Sequence, residues 1–455
     1  MKLSTDIRIK NFSLNFIPVK TRVPLKFGSE VLSSVICARV KAGVFNRGKE
    51  SAEGWGETPL SVQWVWPSQV PYSVRQQALL AFCEFLGKRW QSFDNWGHAI
   101  EIGHQLIMND LPKALAQFND LENYGEPMPW LAGLVCASAF DLALHDAYGV
   151  VNQIPVYQAY GKEFISSDLS CFLQPDEKSE VNFKGKFPSD FLVLKPPSRI
   201  PVWHLVGGLD PLGKEDLSGD EPEDGYPVHL MDWIQRDGLN CLKIKLLGND
   251  SDWDYQRLLK VGEIAEKMDV DHLTADFNCT VTEPSYVNEI LDRLKSDNLN
   301  THRRILYVEQ PFPYDLDTHR IDVHSVSARK PLFMDESAHD WKHVRLGRKL
   351  GWTGVALKTC KTQTGALLSL CWAKAHDMDL MVQDLTNPML AQIPHVLLGA
   401  HAGTIMGVES NGMQFYPNAS LREAKIHPGV YNRREGNLDL TTLQGSGFGY
   451  RINEF

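Results

Sequence analysis

The segment Leu242-Lys-Ile-Lys-Leu246 places two lysines two residues apart in an otherwise apolar run. Period-two alternation sends Lys243 and Lys245 to one face of a strand and Leu242, Ile244 and Leu246 to the other. Taken alone, the pattern also suits the solvent face of an antiparallel edge strand. Four later apolar runs, however, each end in a polar residue: His272-Leu-Thr-Ala-Asp276 with Asn278 just beyond, Ile305-Leu-Tyr-Val-Glu309, Pro331-Leu-Phe-Met-Asp335 with Glu336, and Gly354-Val-Ala-Leu-Lys358 with Lys361 following. Three carboxylates gathered without a cation would repel and raise one another's pKa, so a divalent ion is the economical way to hold Asp276, Glu309 and Asp335 together. All-oxygen ligands from so few side chains favour Mg2+, which keeps positions for water or a substrate oxygen.

The elements that must position these groups follow from the spacing. From Lys245 the successive intervals are 31, 33, 26 and 23 residues, each suited to one βα unit, since a βαβ takes roughly 30 residues. That is the repeat of a barrel, in which side chains at the carboxyl ends of parallel strands converge on one mouth. Strand-helix alternation begins after Pro129 with a helix through Leu134, Ala137 and Leu142, and the first barrel strand is expected near Leu169–Leu173. Strands seven and eight are expected at Leu380–Asp384 and Thr404–Glu409. Between strands one and two lies a stretch rich in Pro, Gly and acids, about 175–228, far longer than an ordinary βα loop. Emerging on the mouth face, it would serve as a lid or recognition loop, or else as a solvated surface excursion.

The amino-terminal part reads differently. Strands are expected at 5–17, 31–44 and 51–60, then helices at Ser73–Phe93 and His98–Phe118. Strands followed by helices without alternation describe an α+β unit. The expected division is a capping domain at 1–128, completed by 425–455, and a catalytic barrel at 129–424. Gly445-Ser-Gly447-Phe-Gly449 reads as a turn and strand returning to the small domain, without the helix a dinucleotide loop requires.

Composition narrows the class. A net charge of −10 argues against a nucleic-acid surface. The amino terminus lacks the apolar core of a secretory signal, and no run of about 18 uncharged apolar residues suggests a membrane span. Eight cysteines (Cys37, Cys83, Cys136, Cys171, Cys241, Cys279, Cys360 and Cys371) form no C-x-x-C pair, which fits reduced thiols in a cytoplasmic protein.

In order and spacing, Lys243/Lys245, Asp276/Asn278, Glu309, Asp335/Glu336 and Lys358 resemble the signature of the muconate lactonising enzyme (muconate cycloisomerase) subgroup of the enolase superfamily, within the mandelate racemase/muconate lactonising family. The similarity extends to Gly54-Trp-Gly-Glu57, to Ala139-Phe-Asp141 through Asp146, and to the closing segment from Glu435-Gly436 to Gly449. It implies an α/β fold: a (β/α)7β TIM-like barrel with an α+β capping domain. It also implies Mg2+ on Asp276, Glu309 and Asp335, with Asn278 and Glu336 orienting these ligands. Lys245 would be the acid/base on one face of a small carboxylate substrate, Lys243 its electrostatic helper, and Lys358 the group on the other face. A free lysine has a pKa of about 10.4, so the base needs like charge nearby to lose its proton.

The reaction implied is abstraction of the proton α to a carboxylate through an enediolate, leading to racemisation or epimerisation, cycloisomerisation or dehydration, an isomerase or lyase. Gln383, Asp384 and Glu409 are candidate substrate-binding residues. The loop Lys26–Ser33, the 175–228 insertion and Gln383–Asn387 would set specificity. Relatives often carry Gly-Gly soon after the last lysine where this chain has Thr362-Gln-Thr-Gly365, and the acidic pair of dipeptide epimerases after strand eight is reduced to Glu409. Two other readings stay open: a barrel that binds metal and ligand without turnover, and a Schiff-base aldolase on Lys245 or Lys358. His339-Asp-Trp-Lys-His343 has the i, i+4 histidines of a zinc helix but no evident third ligand. The sequence leaves homo-oligomerisation open.

Overall fold

The computed structural model describes residues 3–27 and 30–454. Three long strands, β1 (Ile7–Phe27), β2 (Glu30–Asn46) and β3 (Ser51–Pro59), form an antiparallel sheet in the order β1-β2-β3. Two helices, α1 (Tyr72–Trp90) and α2 (Leu111–Leu121), follow. The helix expected at 98–118 is broken: Ala99–His104 leads into a wider π-helical turn at Gln105–Asp110 before α2 begins. Pro112 is the cause, because it has no N–H to donate back to Met108. Part of the expected specificity loop, Gly28 and Ser29, falls outside the described residues.

Helix α3 (Trp130–Val151) is the spine between sheet and barrel. It is long and apolar enough to cross a membrane, yet 94% of its apolar window is buried inside the protein. Gly54 and Gly56 on β3 allow the contact: a Cβ on Gly54 would collide with the backbone nitrogen of Ala147, and one on Gly56 with the carbonyl oxygen of Ala139. Asp146 of α3 then accepts the amides of Trp55 and Phe448, both at 2.8 Å, and so ties cap strand and carboxy-terminal segment to one helix.

Eight parallel strands make the barrel: β4 (Arg199–Val206), β5 (Cys241–Lys245), β6 (His272–Asp276), β7 (Ile305–Glu309), β8 (Leu332–Met334), β9 (Gly354–Leu357), β10 (Asp379–Val382) and β11 (Val408–Glu409). They are hydrogen-bonded in sequence from β4 to β10, and β11 pairs in parallel with β4. The Ile405 amide donates to the Leu380 carbonyl across the remaining seam. Every connection from β4 to β11 carries a helix, including α4 (Leu230–Asp237) after β4, α5 (Ser251–Lys267) after β5, α6 (Pro284–Asp297) after β6, α7 (Trp341–Leu350) after β8, α8 (Gln363–Ala375) after β9 and α9 (Gln392–Ala402) after β10. Trp203, Cys241, Tyr307, Phe333 and Met381 close the interior as a floor.

Two sequence expectations change. Leu169–Cys171 is a single 3-10 turn capped by Asp168, and the first barrel strand is β4, thirty residues later. The stretch expected after strand one is therefore divided. Residues 175–198 precede it and pack on the outer helices, where Trp372 Nε1 donates to the Gln174 carbonyl and Lys374 Nζ to that of Phe191. Only 207–228 follow strand one. The carboxy-terminal segment also divides: β12 (Asn437–Asp439) pairs antiparallel with β4 rather than with the cap sheet, while Gly447 bridges to Pro155. Leu169–Leu173 is a denser apolar run upstream of β4 and draws the strand assignment to itself, while the three residues of β12 are too few to show any alternation.

Candidate active site

Strand β5 is buried at all five positions and flanked by parallel neighbours on both sides, which removes the solvent-face reading of its lysines. Cys241, Lys243 and Lys245 rise in that order from the floor toward the mouth, while Leu242 and Ile244 enter the core shared with the outer helices. In a closed ring of eight strands β5 and β9 stand diametrically opposite, so Lys245 and Lys358 face each other across the mouth. Asp276, Glu309 and Asp335, from β6, β7 and the end of β8, occupy the arc between them.

These groups meet. Lys243 Nζ lies 2.6 Å from Glu309 Oε1, 2.9 Å from Glu409 Oε2 and 3.1 Å from Asp276 Oδ2. Lys245 Nζ is 2.6 Å from the same Asp276 oxygen. Opposite, Lys358 Nζ lies 3.0 Å from Asp335 Oδ2 and donates to the Asp384 carbonyl, also at 3.0 Å. Lys361 joins the cluster, donating to the Asp335 carbonyl at 2.6 Å. Gln383 donates to Glu309 Oε2 at 2.6 Å, and Asn411 bridges Glu409 Oε1 (2.7 Å) and Asp384 Oδ1 (3.2 Å). The Asn278 amide holds Asp276 Oδ1 at 2.9 Å, and Asn278 Nδ2 donates to Glu336 Oε1 at 3.3 Å. The catalytic, metal-binding, ligand-orienting and substrate-binding candidates named from the sequence are therefore all at this mouth.

Three contributors were not foreseen. Trp64 of the cap donates through Nε1 to Glu336 Oε1 at 3.0 Å, and its ring centroid lies 5.1 Å from Lys358 Nζ. Gln310, one residue past Glu309, accepts the Asp335 amide and the Ser337 hydroxyl, both at 2.8 Å, and fixes the turn after β8. Asn411 orients two acids at once. Gln310 was legible in principle, as a polar residue directly after a strand-end acid. Trp64 was not, because its partner is 272 residues away.

The electrostatics follow from burial. Burial favours neutral Lys243, but Glu309, Glu409 and Asp276 outweigh it and hold its pKa well above the usual lysine value. Burial also pushes Asp276 up, yet Lys245 and Lys243 bring it far below the ordinary carboxylate range. Asp335 behaves the same way under Lys358 and Lys361. Glu309 is raised by burial and by Asp276, Glu336 goes up to about 7 through burial and Asp335, and Asp384 up to about 6 through burial and Glu409. Lys361 is lowered by burial.

Among the described residues no group of three or more His, Cys, Asp or Glu already stands arranged to hold a metal ion, since lysine nitrogens fill the gaps between the acids. The donor chemistry nevertheless fits a hard cation. The buried atoms Asp335 Oδ1, Glu336 Oε2 and Asn278 Oδ1 have no hydrogen-bond partner. Six buried carboxylates (Asp276, Glu309, Asp335, Glu336, Asp384 and Glu409) against four buried lysines (Lys243, Lys245, Lys358 and Lys361) leave a formal charge of −2. The zinc-like pair does not converge: His343 Nδ1 faces Asp340 at 3.1 Å, and both ring nitrogens of His339 are unpartnered.

The mouth is roofed by Leu25, Leu32 and Val35 of the β1-β2 hairpin and by Ser61 and Trp64, and its free volume is about 40 Å3. That is room for roughly three waters at ~10–15 Å3 each.

Comparison with known proteins agrees with this architecture. The family profile described as Enolase C-terminal domain-like matches residues 228–455. No curated protein matches the chain. Solved structures similar over the whole fold include a dipeptide epimerase from Enterococcus faecalis V583 complexed with Mg and L-Leu-L-Tyr (TM-score 0.63, 16% identity, 97% of this chain and 99% of that one). An N-succinyl Arg/Lys racemase from Bacillus cereus gives TM-score 0.62 at 18% identity over 97% and 95%. A muconate lactonizing enzyme from Pseudomonas fluorescens complexed with muconolactone gives 0.59 at 14% over 97% and 95%. With the family profile covering half of the chain and the cap-plus-barrel architecture shared throughout, the protein belongs to the enolase superfamily of enzymes, in its mandelate racemase/muconate lactonising family.

Proposed function

We propose that this protein abstracts the proton α to the carboxylate of a small substrate, with Mg2+ as cofactor, and yields an epimerised, racemised, cycloisomerised or dehydrated product. The observation that carries this reading is the placement of Lys245 and Lys358 on opposite sides of the barrel mouth, with Asp276, Glu309 and Asp335 between them. Held by those three acids, the cation would supply electrostatic stabilisation for the charge that builds on the substrate carboxylate.

The side chains divide the remaining work. Lys245 takes the α-proton on one face. Lys358 either returns a proton on the other face, which inverts the centre, or stays charged while a leaving group departs. Lys243, kept protonated by Glu309, Glu409 and Asp276, fixes the acids and offers positive charge without exchanging its own proton. Asn278 and Glu336 keep Asp276 and the turn after β8 in place. Gln383, Asp384 and Glu409, at the ends of β10 and β11, would meet the substrate beyond its carboxylate.

The test is incubation with Mg2+ in deuterated water and a panel of carboxylic acids. Dipeptides, N-succinyl amino acids and muconolactone, named for the similar structures, come first. Deuterium at the α-carbon supports the reading, and Lys245→Met should lower its rate about 10²–10⁴-fold, the usual weight of a positioned acid/base. A lysine adduct trapped by borohydride, with no α-deuterium, would point instead to a Schiff-base aldolase.

A further inference from the structure

The β1-β2 hairpin roofs the mouth with Leu25 and Leu32, and the structure shows what holds it there. Strands β1 and β2 pair regularly as far as Lys20↔Ser34, then resume at Leu25↔Leu32, leaving Thr21–Pro24 as a bulge opposite Ser33. Such a bulge interrupts the ladder and bends the strand, so regular pairing does not tie the outer hairpin to the rest of the sheet there. Arg22 stands in that bulge, its side chain only 7% exposed. It reaches across to the 207–228 segment, with Nε 2.7 Å from Asp224 Oδ2 and Nη2 2.8 Å from Asp224 Oδ1, and it also donates to the carbonyls of Pro227 (3.2 Å) and Tyr226 (3.4 Å).

The other end of the segment is rooted in the barrel, where Arg257 Nη2 donates to the carbonyls of Gly207 (2.6 Å) and Asp210 (3.1 Å). The Gly208 amide meets the Lys26 carbonyl at 3.2 Å. The segment is thus a strap between barrel strand one and the hairpin that carries Leu25 and Leu32 over the lysines.

We infer that Arg22 is a positioning residue: its two-pronged grip on Asp224 holds the hairpin against the barrel, and release of that grip opens the mouth to substrate. Arg is suited to the task because its planar fork engages both carboxylate oxygens together. The inference shares the site with the proposed function, but its test needs neither cation nor turnover, so either can fail alone.

The full-length protein, Arg22→Met, Asp224→Asn and the double variant are compared by amide hydrogen exchange and by acetylation of Lys245 and Lys358 with acetic anhydride at fixed pH. Exchange in 20–26 and 30–35, and acetylation of both lysines, should rise about tenfold or more in each single variant, the scale of losing hydrogen bonds to a charged group. The double variant should add little, and exchange in β3 and the outer barrel helices should stay as in the parent. Unchanged exchange and labelling in both single variants would overturn the inference. So would acceleration that spreads evenly through β3 and the barrel helices, because Arg22 would then be a general structural contact.

Discussion

Lys243 Nζ sits where Asp276, Glu309 and Glu409 converge, within 3.1 Å of an oxygen from each. A positive charge at that point is what makes three fully buried acids tolerable, and removing one partner of a buried ion pair costs about 3–5 kcal/mol. Lys243→Met should therefore lower the melting temperature sharply in cation-free buffer. Because Mg2+ would then restore positive charge where the ammonium had been, the same variant should gain more in melting temperature from added Mg2+ than the parent does. Calorimetry with and without EDTA checks both parts. Equal Mg2+ gains in variant and parent would mean that ammonium and cation do not compete for the same acids.

Helix α3 decides how the turn after β9, with Lys358 and Lys361, meets the barrel. Ser138 donates to the Thr359 carbonyl at 2.7 Å, and Asp141 accepts both the amide and the hydroxyl of Thr364 at 2.8 Å. His145 contacts Thr364 Oγ1 at 2.9 Å and Tyr160 OH at 2.8 Å. Burial lowers the His145 pKa from 6.5 to about 3, so its charged form is excluded from the fold. A depressed folded-state pKa means that the stability it contributes is present above about 6.5 and drains away as pH falls toward about 3. His145→Phe should flatten that acid-side decline in the melting temperature. At pH 7 the variant should cost about 1–3 kcal/mol, because Tyr160 and Thr364 lose a buried partner.

At the β3-α3 contact, Gly54→Ala should part cap and spine, since its Cβ meets backbone rather than a side chain that can turn aside. A loss of about 1–3 kcal/mol is the usual scale of such overpacking. Chemical denaturation would read it, and an unchanged midpoint would show that the sheet can shift freely on the helix.

For the whole molecule, the decisive fact is that the mouth belongs to both halves: lysines and acids come from the barrel, while Leu25, Leu32, Val35 and Trp64 come from the cap. A ligand bound there should couple them. Mg2+ together with a carboxylate that turns over should slow amide exchange in 20–26, 30–35 and 60–66 while leaving α5 and α6 on the outer wall unchanged. Protection confined to the barrel would mean that the cap takes no part in binding. The roof of the mouth thus belongs to the cap, while the charge arrangement belongs to the barrel.

The sequence by itself determined the barrel repeat, the strand-end positions of Lys245, Asp276, Glu309, Asp335 and Lys358, and the order of three cap strands, although β1 continues past the expected 5–17 to Phe27. Each follows from local periodicity and from the fixed rule that parallel strands present their carboxyl ends to one mouth. Local pattern could not locate β4, because an eight-residue strand after a long irregular stretch looks like the loop around it, and Leu169–Leu173 was the more apolar candidate. Nor could it show which acid neutralises which lysine, that Lys361 joins the cluster, that Trp64 lies against Lys358, or that Arg22 grips Asp224. Those contacts join residues tens to hundreds of positions apart, and only the closed ring and the packing of cap on barrel bring them within a few ångströms.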